Sequence, residues 1–229
     1  MEHPVMLLVW ILEKLGFGHF AHEYPHLVYS WFFALVLIVV GRLATRNVTM
    51  IPGKLQNVFE AIVEGLGNFQ DSIMGRRGRP FFPLVCTMFF FVFCCNFNGL
   101  VPGSLSPTSN LNTTLAMALI IVGTTHLTGI RMHGFHYIKH FMGPSPILAP
   151  LMMPVEIISH TARILSLSLR LFGNIMGEDL VVAILFMLGG QYFLPLPMMF
   201  LGLFTGFLQA FIITLLGMVY ITEALEPAH

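Results

Sequence analysis

The stretch LSLSLRLFGNIMGEDLV, from Leu165 to Val181, places Arg170 in the middle of an otherwise apolar helical sequence. Because a guanidinium does not lose its proton in a protein, this charge is permanent. A charge at membrane depth that faces lipid costs at least about 2.5 kcal/mol. The helix that carries Arg170 therefore needs a neighbour made of protein or lined with water.

The composition is typical of an integral membrane protein. Of 229 residues, 56% are hydrophobic and 10% are charged, whereas soluble domains carry about 25% charged residues. The net charge of zero gives no indication of nucleic-acid binding. Cys86, Cys94 and Cys95 lie within one apolar run, which favours small buried side chains over a disulfide or a metal site. We expect neither a metal ion nor a cofactor.

Uncharged apolar runs on either side of Arg170 predict about five membrane crossings in a single all-α membrane domain. The first span is predicted at 27–43, and a helical hairpin at 81–130 turns within VPGSLSPTSNLN, from Val101 to Asn112. A second, long hairpin is predicted at 145–222. Its first helix would be about 60 Å long, roughly twice the hydrocarbon thickness, so it must break, protrude or lie steeply tilted.

The distribution of basic residues predicts the orientation. The uncharged loops at 102–111 and 189–197 are expected outside. The N-terminal segment 1–26 is then external and the tail 223–229 is cytoplasmic. Six basic residues follow the first span and place that loop in the cytoplasm: Arg42, Arg46, Lys54, Arg76, Arg77 and Arg79.

The cytoplasmic segment 52–77 has a pattern of its own. Apolar residues recur there at steps of three and four, with acidic residues away from the stripe, which predicts an amphipathic helix on the membrane surface. The helix could pack on lipid or dock a partner subunit. The stripe consists of Val58, Ile62, Leu66, Phe69 and Ile73.

At 100° per residue, nearly every polar side chain between 156 and 178 falls on the face of Arg170. Asn174 and Glu178 lie on its outer side, and Asp179 points the opposite way. The residues on its cytoplasmic side are Glu156, Ser159, His160, Arg163 and Ser166.

The last predicted helix offers a matching surface. Small and polar residues cluster around Gln209, which allows close helix approach, and its amide can accept a hydrogen bond from a guanidinium. Helix packing alone would explain the glycines, but a Gln on the same face favours a polar site. The cluster consists of Gly202, Thr205, Gly206, Gln209, Gly217 and Tyr220.

Three strings resemble subunit a of the bacterial type of F-type rotary ATP synthase. The first is PVEIISHTARILSLSLRLFGNIMGEDL, which contains SLRLFGN at Ser168 to Asn174. The others are the turn NFNGLVPGSLSPTSNLN and the final helix LQAFIITLLGMVYI. The resemblance runs from the first span to the C-terminus. It implies a non-catalytic subunit of a proton-translocating complex, and the chain has no phosphate-binding loop of its own.

The resemblance also implies roles for individual residues. Arg170 corresponds to the essential arginine that faces the ring carboxylate. An outer half-channel would use Asn174, Glu178, Asp179 and Gln209. A cytoplasmic half-channel would use Glu156 with Ser159, His160 and Ser166. Many members carry an ionisable residue where this chain has Gly202, which raises the question of whether Glu178 replaces it.

The implied partners are the ring of proteolipid c subunits, the peripheral-stalk b subunits, the rest of the complex and the lipid bilayer. Protons would cross only by riding the ring between two half-channels that do not meet, with Arg170 blocking direct leakage. The short start without a leader favours a bacterial inner membrane. Whether the coupling ion is a proton or sodium depends largely on the ring, which is another chain.

Two other functions fit parts of the pattern. A secondary transporter could use intramembrane Arg, Glu and Asn for an anionic substrate, but it would be expected to have inverted repeats. A metal or haem protein could use the triplets His19, His22 and His26 or His133, His136 and His140. Both triplets fall in loops near the membrane surface, and no HExxH motif is present.

Overall fold

A computed structural model describes residues 7–14, 16, 18–46, 53–101, 104–134, 149–189 and 193–225. Within these residues, two short 3₁₀ helices, Arg76–Phe81 and Pro107–Ser109, precede the second and third long apolar helices. The same residues contain eight α-helices: α1 Leu7–Lys14, α2 Gly18–Glu23, α3 Pro25–Thr45, α4 Lys54–Met74, α5 Phe82–Asn98, α6 Leu111–His133, α7 Ala149–Gly189 and α8 Leu196–Leu225.

Five of these helical segments are long and apolar enough to cross a membrane. They are α3, the segment Arg76–Asn98 that contains α5, α6, α7 and α8. No strand occurs within the described ranges. The prediction of an all-α membrane protein with about five crossings is therefore confirmed.

The hydrophobic core lies where α5, α6 and α8 meet the inner face of α7. Val92 of α5, Ile121 of α6 and Ile213 of α8 are almost fully buried there. Leu171 and Ile175 of α7 are four residues apart, so they lie on one face and pack into the same cluster. This packing leaves the opposite face of α7 on the outside of the helix group.

Helix α7 is continuous over 41 residues, although Pro154 lies in its second turn. At 1.5 Å per residue it is about 60 Å long. A proline is tolerated near a helix start, where few backbone N–H groups have intrahelical partners. Of the three predicted alternatives, a break is therefore excluded between Ala149 and Gly189, which leaves protrusion or a steep tilt.

Helix α4 uses its predicted apolar stripe in two ways. Phe69 and Ile73, in its second half, pack against buried Met218 and Ile221 of α8. Val58 and Ile62, in its first half, are 58% and 40% exposed. The stripe thus serves the intramolecular core at one end and stays free for lipid or a partner subunit at the other.

The end of α4 is fixed by local polar contacts. Gly75 follows it with φ +60°, a conformation that side chains other than glycine rarely adopt. Asp71 and Arg79 form an ion pair of 2.9 Å across this turn. Hydrogen bonding to the Arg79 guanidinium holds the pKa of Asp71 below its usual value.

Some sequence predictions fall outside the described residues. They include the start of the long hairpin at 145–148, the loop residues 190–192 and the end of the tail at 226–229. The side chains of His133, His136 and His140 fall outside as well.

Candidate functional site

Arg170 lies on the uncovered face of α7. Its Nη2 is 3.4 Å from the Oγ of Ser166, one turn away, and both side chains are exposed. Leu165 and Leu169 beside it are about half exposed. Among the described side chains, no carboxylate lies within ion-pair distance of this guanidinium. The permanent charge at the middle of α7 is therefore free to act on a group outside the chain.

The amide of Gln209 meets Asn174 rather than Arg170. Asn174 Nδ2 donates to Gln209 Oε1 over 3.0 Å. Gln209 is only 2% exposed, and its Nε2 has no partner among the described residues. Gln209 thus forms an amide–amide bond one turn further out than Arg170.

Glu178 faces α8 on the outer side of Arg170. Its Oε2 accepts a hydrogen bond of 3.0 Å from the Thr205 hydroxyl. Gly202 provides the space, since a Cβ at position 202 would lie 1.5 Å from Glu178 Oε1. The carboxyl of Glu178 therefore occupies the volume that a side chain at position 202 would otherwise take.

Asp179 points to the other side of α7, as its angle predicts. A Cβ at Gly99, at the end of α5, would lie 3.0 Å from Asp179 Oδ1. The Ser109 hydroxyl of the α5–α6 connection also interacts with this carboxyl. The two adjacent acids thus face different partners, Glu178 towards α8 and Asp179 towards the α5–α6 turn.

A buried polar network in the α5–α6 connection adjoins these acids, and its individual residues were not predicted. Asn96 Nδ2 donates to the Gly206 carbonyl of α8 over 3.0 Å, and its Oδ1 accepts from the Thr108 hydroxyl over 2.7 Å. The hydroxyls of Ser106 and Thr108 are 2.8 Å apart. The signal was present in NFNGLVPGSLSPTSNLN, where uncharged polar residues recur in an apolar hairpin.

A second cluster of ionisable side chains lies on the other side of Arg170. His160 Nε2 is 3.3 Å from Glu156 Oε1, one turn earlier on α7. The ring of His126, from α6, lies 4.7 Å from the His160 ring, centroid to centroid. Ser159 is half-buried on the same stretch of helix. His126 was not predicted as part of any site.

Arg163 joins α7 to α8 at this end. Its two terminal nitrogens lie 2.6 and 3.1 Å from the carboxylate oxygens of Glu223, and its guanidinium carbon lies 4.9 Å from the centre of the Tyr220 ring. The sequence placed Glu223 in the tail, but α8 continues to Leu225. Glu223 is therefore part of the helix pair.

The two clusters are separated by about the thickness of a membrane core. Glu156 and Glu178 are 22 positions apart on one continuous helix, which corresponds to about 33 Å. Arg170 lies between them, about 12 Å along the axis from Glu178 and about 21 Å from Glu156. The geometry places one unpaired cation between two sets of groups that can bind and release protons.

The fold and this site define a helical membrane protein whose last helices carry a divided stripe of ionisable groups. The chain belongs to the ATP synthase A chain family, whose model matches residues 27–222. It is 51% identical to ATP synthase subunit a of Syntrophobacter fumaroxidans over 240 residues, covering both chains in full. Full-length matches to ATP synthase subunit a of Desulfosudis oleivorans and Geobacter sulfurreducens are 49% and 44% identical. The resemblance inferred from SLRLFGN is confirmed.

Proposed function

We propose that this chain is the proton-conducting stator subunit of an ATP synthase membrane sector. It would present two offset half-channels to a rotating ring of proteolipid c subunits and so couple proton flow to rotation and ATP synthesis. Family membership supports work within the ATP synthase complex and in a membrane. The single observation that carries the division into half-channels is the exposed, unpaired Arg170 between two ionisable clusters.

The role of Arg170 follows from its fixed charge. A ring carboxylate that faces lipid must be protonated, because a bare charge is too costly there. Opposite Arg170 the ionised form is favoured, so the carboxylate releases its proton into the half-channel beside it. Since the guanidinium neither accepts a proton nor tolerates a nearby cation, it prevents protons from passing directly between the half-channels.

The outer half-channel would run along Asn174, Glu178, Asp179 and Gln209. Glu178 supplies the ionisable group that position 202 lacks, because its carboxyl fills the space beside Gly202 and bonds to Thr205. Asp179 extends the polar path to the α5–α6 turn through Ser109. The Nε2 of Gln209 is buried without a partner among the described residues, so we expect a buried water to satisfy it.

The cytoplasmic half-channel would run along Ser166, His160, Ser159 and Glu156. These side chains follow one another from Arg170 along the same helix, and Glu156 and His160 are in contact. Each is exposed or half-buried, which allows water to reach it. In the proposed orientation this path would open to the cytoplasmic side only, as directional coupling requires.

The uncovered face of α7 is suited to the ring. Gly173 and Gly177 flank Asn174, and a Cβ at either glycine would meet nothing within 4 Å. Small residues allow a partner helix to come close to the backbone, which would bring a ring carboxylate within reach of Arg170. The exposed half of the α4 stripe, at Val58 and Ile62, is the surface we assign to lipid or to the peripheral-stalk b subunits.

The orientation proposed from the basic residues has the N-terminus outside and the C-terminus in the cytoplasm of a bacterial inner membrane. In that orientation α4 lies on the cytoplasmic side, with 1–26 external and 223–229 at the cytoplasmic surface. The exposed residues Phe20 and Glu64 can each be replaced by cysteine and labelled from either side of the membrane. Only the cysteine at position 20 should react from outside.

The proposed function is tested by Arg170→Ala and Arg170→Lys in the complete complex. Proton-driven ATP synthesis in inverted membrane vesicles should fall to background in both variants, while immunoblotting shows normal assembly. Arg77→Ala, an exposed arginine outside the site, serves as the matched control and should retain activity. Normal synthesis by an assembled Arg170→Ala complex would reject the proposal.

A further inference from the structure

His126 is an ionisable side chain in the second half of a membrane-spanning helix. It belongs to α6, in the polar run GTTHLTG at 123–129, and it is partly buried. Its ring packs against His160 of α7, with ring centres 4.7 Å apart and planes inclined by 56°. An ionisable group at membrane depth is a functional candidate by default, and the stripe on α7 does not include this one.

His126 extends a chain of ionisable groups across two helices. Beginning on α6, the chain passes from His126 to His160 and then to Glu156, whose carboxylate oxygen lies 3.3 Å from His160 Nε2. The side chain of His160 is 15% exposed and that of Glu156 is 31% exposed. The exposed fraction of the side chain thus increases from His160 to Glu156, the last of these ionisable groups.

The charged groups around the two rings come from α7 and α8. Arg163 and Glu156 of α7 and Glu223 of α8 act electrostatically on His160, and Arg163 acts on His126 as well. Arg163 itself is held by the bidentate contact with Glu223 and by the ring of Tyr220. The rings therefore lie beside a cation that is fixed in place, with an acid available at one end.

We propose that His126 and His160 together form a two-histidine proton relay that delivers protons to Glu156 in the cytoplasmic half-channel. The proposal rests on the proposed function above and adds His126, on a different helix, to the groups that move the proton. Imidazole suits this task because it can take up a proton at one nitrogen and release one from the other.

The transfer changes only N–H and O–H bonds. A proton arriving from the ring side binds the unprotonated nitrogen of His126, which becomes an imidazolium and passes a proton from its other nitrogen to His160. His160 then gives a proton to the Glu156 carboxylate, and the resulting carboxylic acid releases it to water on the cytoplasmic side. Two like charges in contact are unfavourable, so the pair carries one proton at a time and both rings end neutral.

The test uses the complete complex in inverted vesicles, with His126→Gln and His160→Gln compared with His19→Gln. Glutamine keeps the polarity and much of the volume of histidine but cannot titrate. His19 is exposed in α2, so the control makes the same substitution outside the membrane spans. Proton pumping driven by ATP and passive proton conductance after removal of the catalytic sector are measured while pH varies on one side only.

We expect each relay variant to conduct about tenfold more slowly. This is below the roughly 100-fold contributed by a positioned acid–base group, because water in the half-channel carries part of the flux. The dependence of conductance on cytoplasmic pH that arises from titration of the two imidazoles should disappear. The dependence on outer pH should remain. The double variant should be no slower than either single variant, since both belong to one path.

Wild-type conductance with an unchanged cytoplasmic pH profile in His126→Gln would overturn the relay. So would an equal loss of conductance at every pH with the native profile shape retained, which indicates a packing role. If His126→Gln does not assemble, His126→Asn and His160→Gln provide the same pH comparison. Arg170→Ala is measured in parallel. Normal pumping by Arg170→Ala would reject the proposed function itself. Loss of pumping in Arg170→Ala together with normal pumping in His126→Gln would reject only the relay.

Discussion

Replacing Gly202 by alanine should displace the carboxyl group of Glu178 without unfolding α8. The new Cβ would lie 1.5 Å from Glu178 Oε1 and 2.3 Å from its Cδ. Ordinary contact needs about 3.5 Å, so the oxygen has to move by about 2 Å. The obstructing atoms are the end of a flexible side chain, which can rotate away, so the backbone need not move.

The cost of this displacement comes mainly from lost hydrogen bonding. Moving the carboxyl group breaks the 3.0 Å bond from Thr205, and a hydrogen bond to a charged group contributes about 1.5–3 kcal/mol. Glycine to alanine inside a helix returns up to about 1 kcal/mol of helix propensity. Net stability should therefore fall by about 0.5–3 kcal/mol. Proton transfer at Glu178 should slow at least tenfold, since about 1.4 kcal/mol corresponds to a factor of ten.

The assay compares proton pumping driven by ATP in vesicles that contain Gly202→Ala or Gly123→Ala. Gly123, in α6, is a matched control because a Cβ there would meet nothing within 4 Å. Gly202→Ala should assemble normally and pump slowly, whereas Gly123→Ala should pump at the native rate.

A double-mutant comparison decides whether the effect acts through Glu178. In a Glu178→Ala background, Gly202→Ala should add little, because the group it displaces is already absent. Equal pumping by Gly202→Ala and Gly123→Ala would refute the reasoning. An undiminished effect of Gly202→Ala in the Glu178→Ala background would do the same, since it would place the cause elsewhere.

Two further predictions concern stability. Thr108→Val removes the hydroxyl bonded to Asn96 and should lower the stability of the purified complex by about 1–3 kcal/mol. Thermal unfolding measures this loss of stability. The control Thr124→Val should change the stability little, because the Thr124 hydroxyl bonds to the backbone of its own helix. Arg79→Gln removes the partner that lowers the pKa of Asp71. The variant should therefore be less stable than the native chain above about pH 4, and this difference should vanish as pH falls through the lowered pKa. Thermal unfolding across pH checks this with Arg77→Gln as control, and a deficit that persists in acid would contradict it.

The helical class and the polar stripe could be predicted because both depend on local order. Long uncharged runs have one stable form in lipid, in which every backbone group is bonded within its own helix. A spacing of 100° per residue then assigns side chains to faces, and it correctly separated Glu178 from Asp179. Neither inference needs any information about how two helices are placed against each other.

The contact between Gln209 and Asn174 needed that information. The pairs Glu178–Thr205, Asn174–Gln209 and Arg163–Glu223 define the antiparallel register of α7 and α8. In this register Arg170 lies about one turn beyond Gln209. A helical wheel gives the face of a residue but not its level on the neighbouring helix, so it could not show that Gln209 meets Asn174.

His126 and Glu223 were missed for related reasons. No polar residue lies three or four positions from His126, so it belongs to no polar stripe on α6. Only its contact with His160 indicates a site. Glu223 was taken as the start of a tail because a charge usually ends a span. Its bidentate partner Arg163 lies 60 positions earlier, and no local pattern relates them.

The open face of α7 also affects the stability of the chain in the bilayer before it joins a complex. A newly inserted copy with Arg170 turned to lipid would bear at least about 2.5 kcal/mol of unfavourable free energy. Covering that face with another protein removes the cost, so the same arginine favours association over solitary residence in the bilayer. The residue that we propose for proton transfer thereby also favours assembly of the chain with a partner.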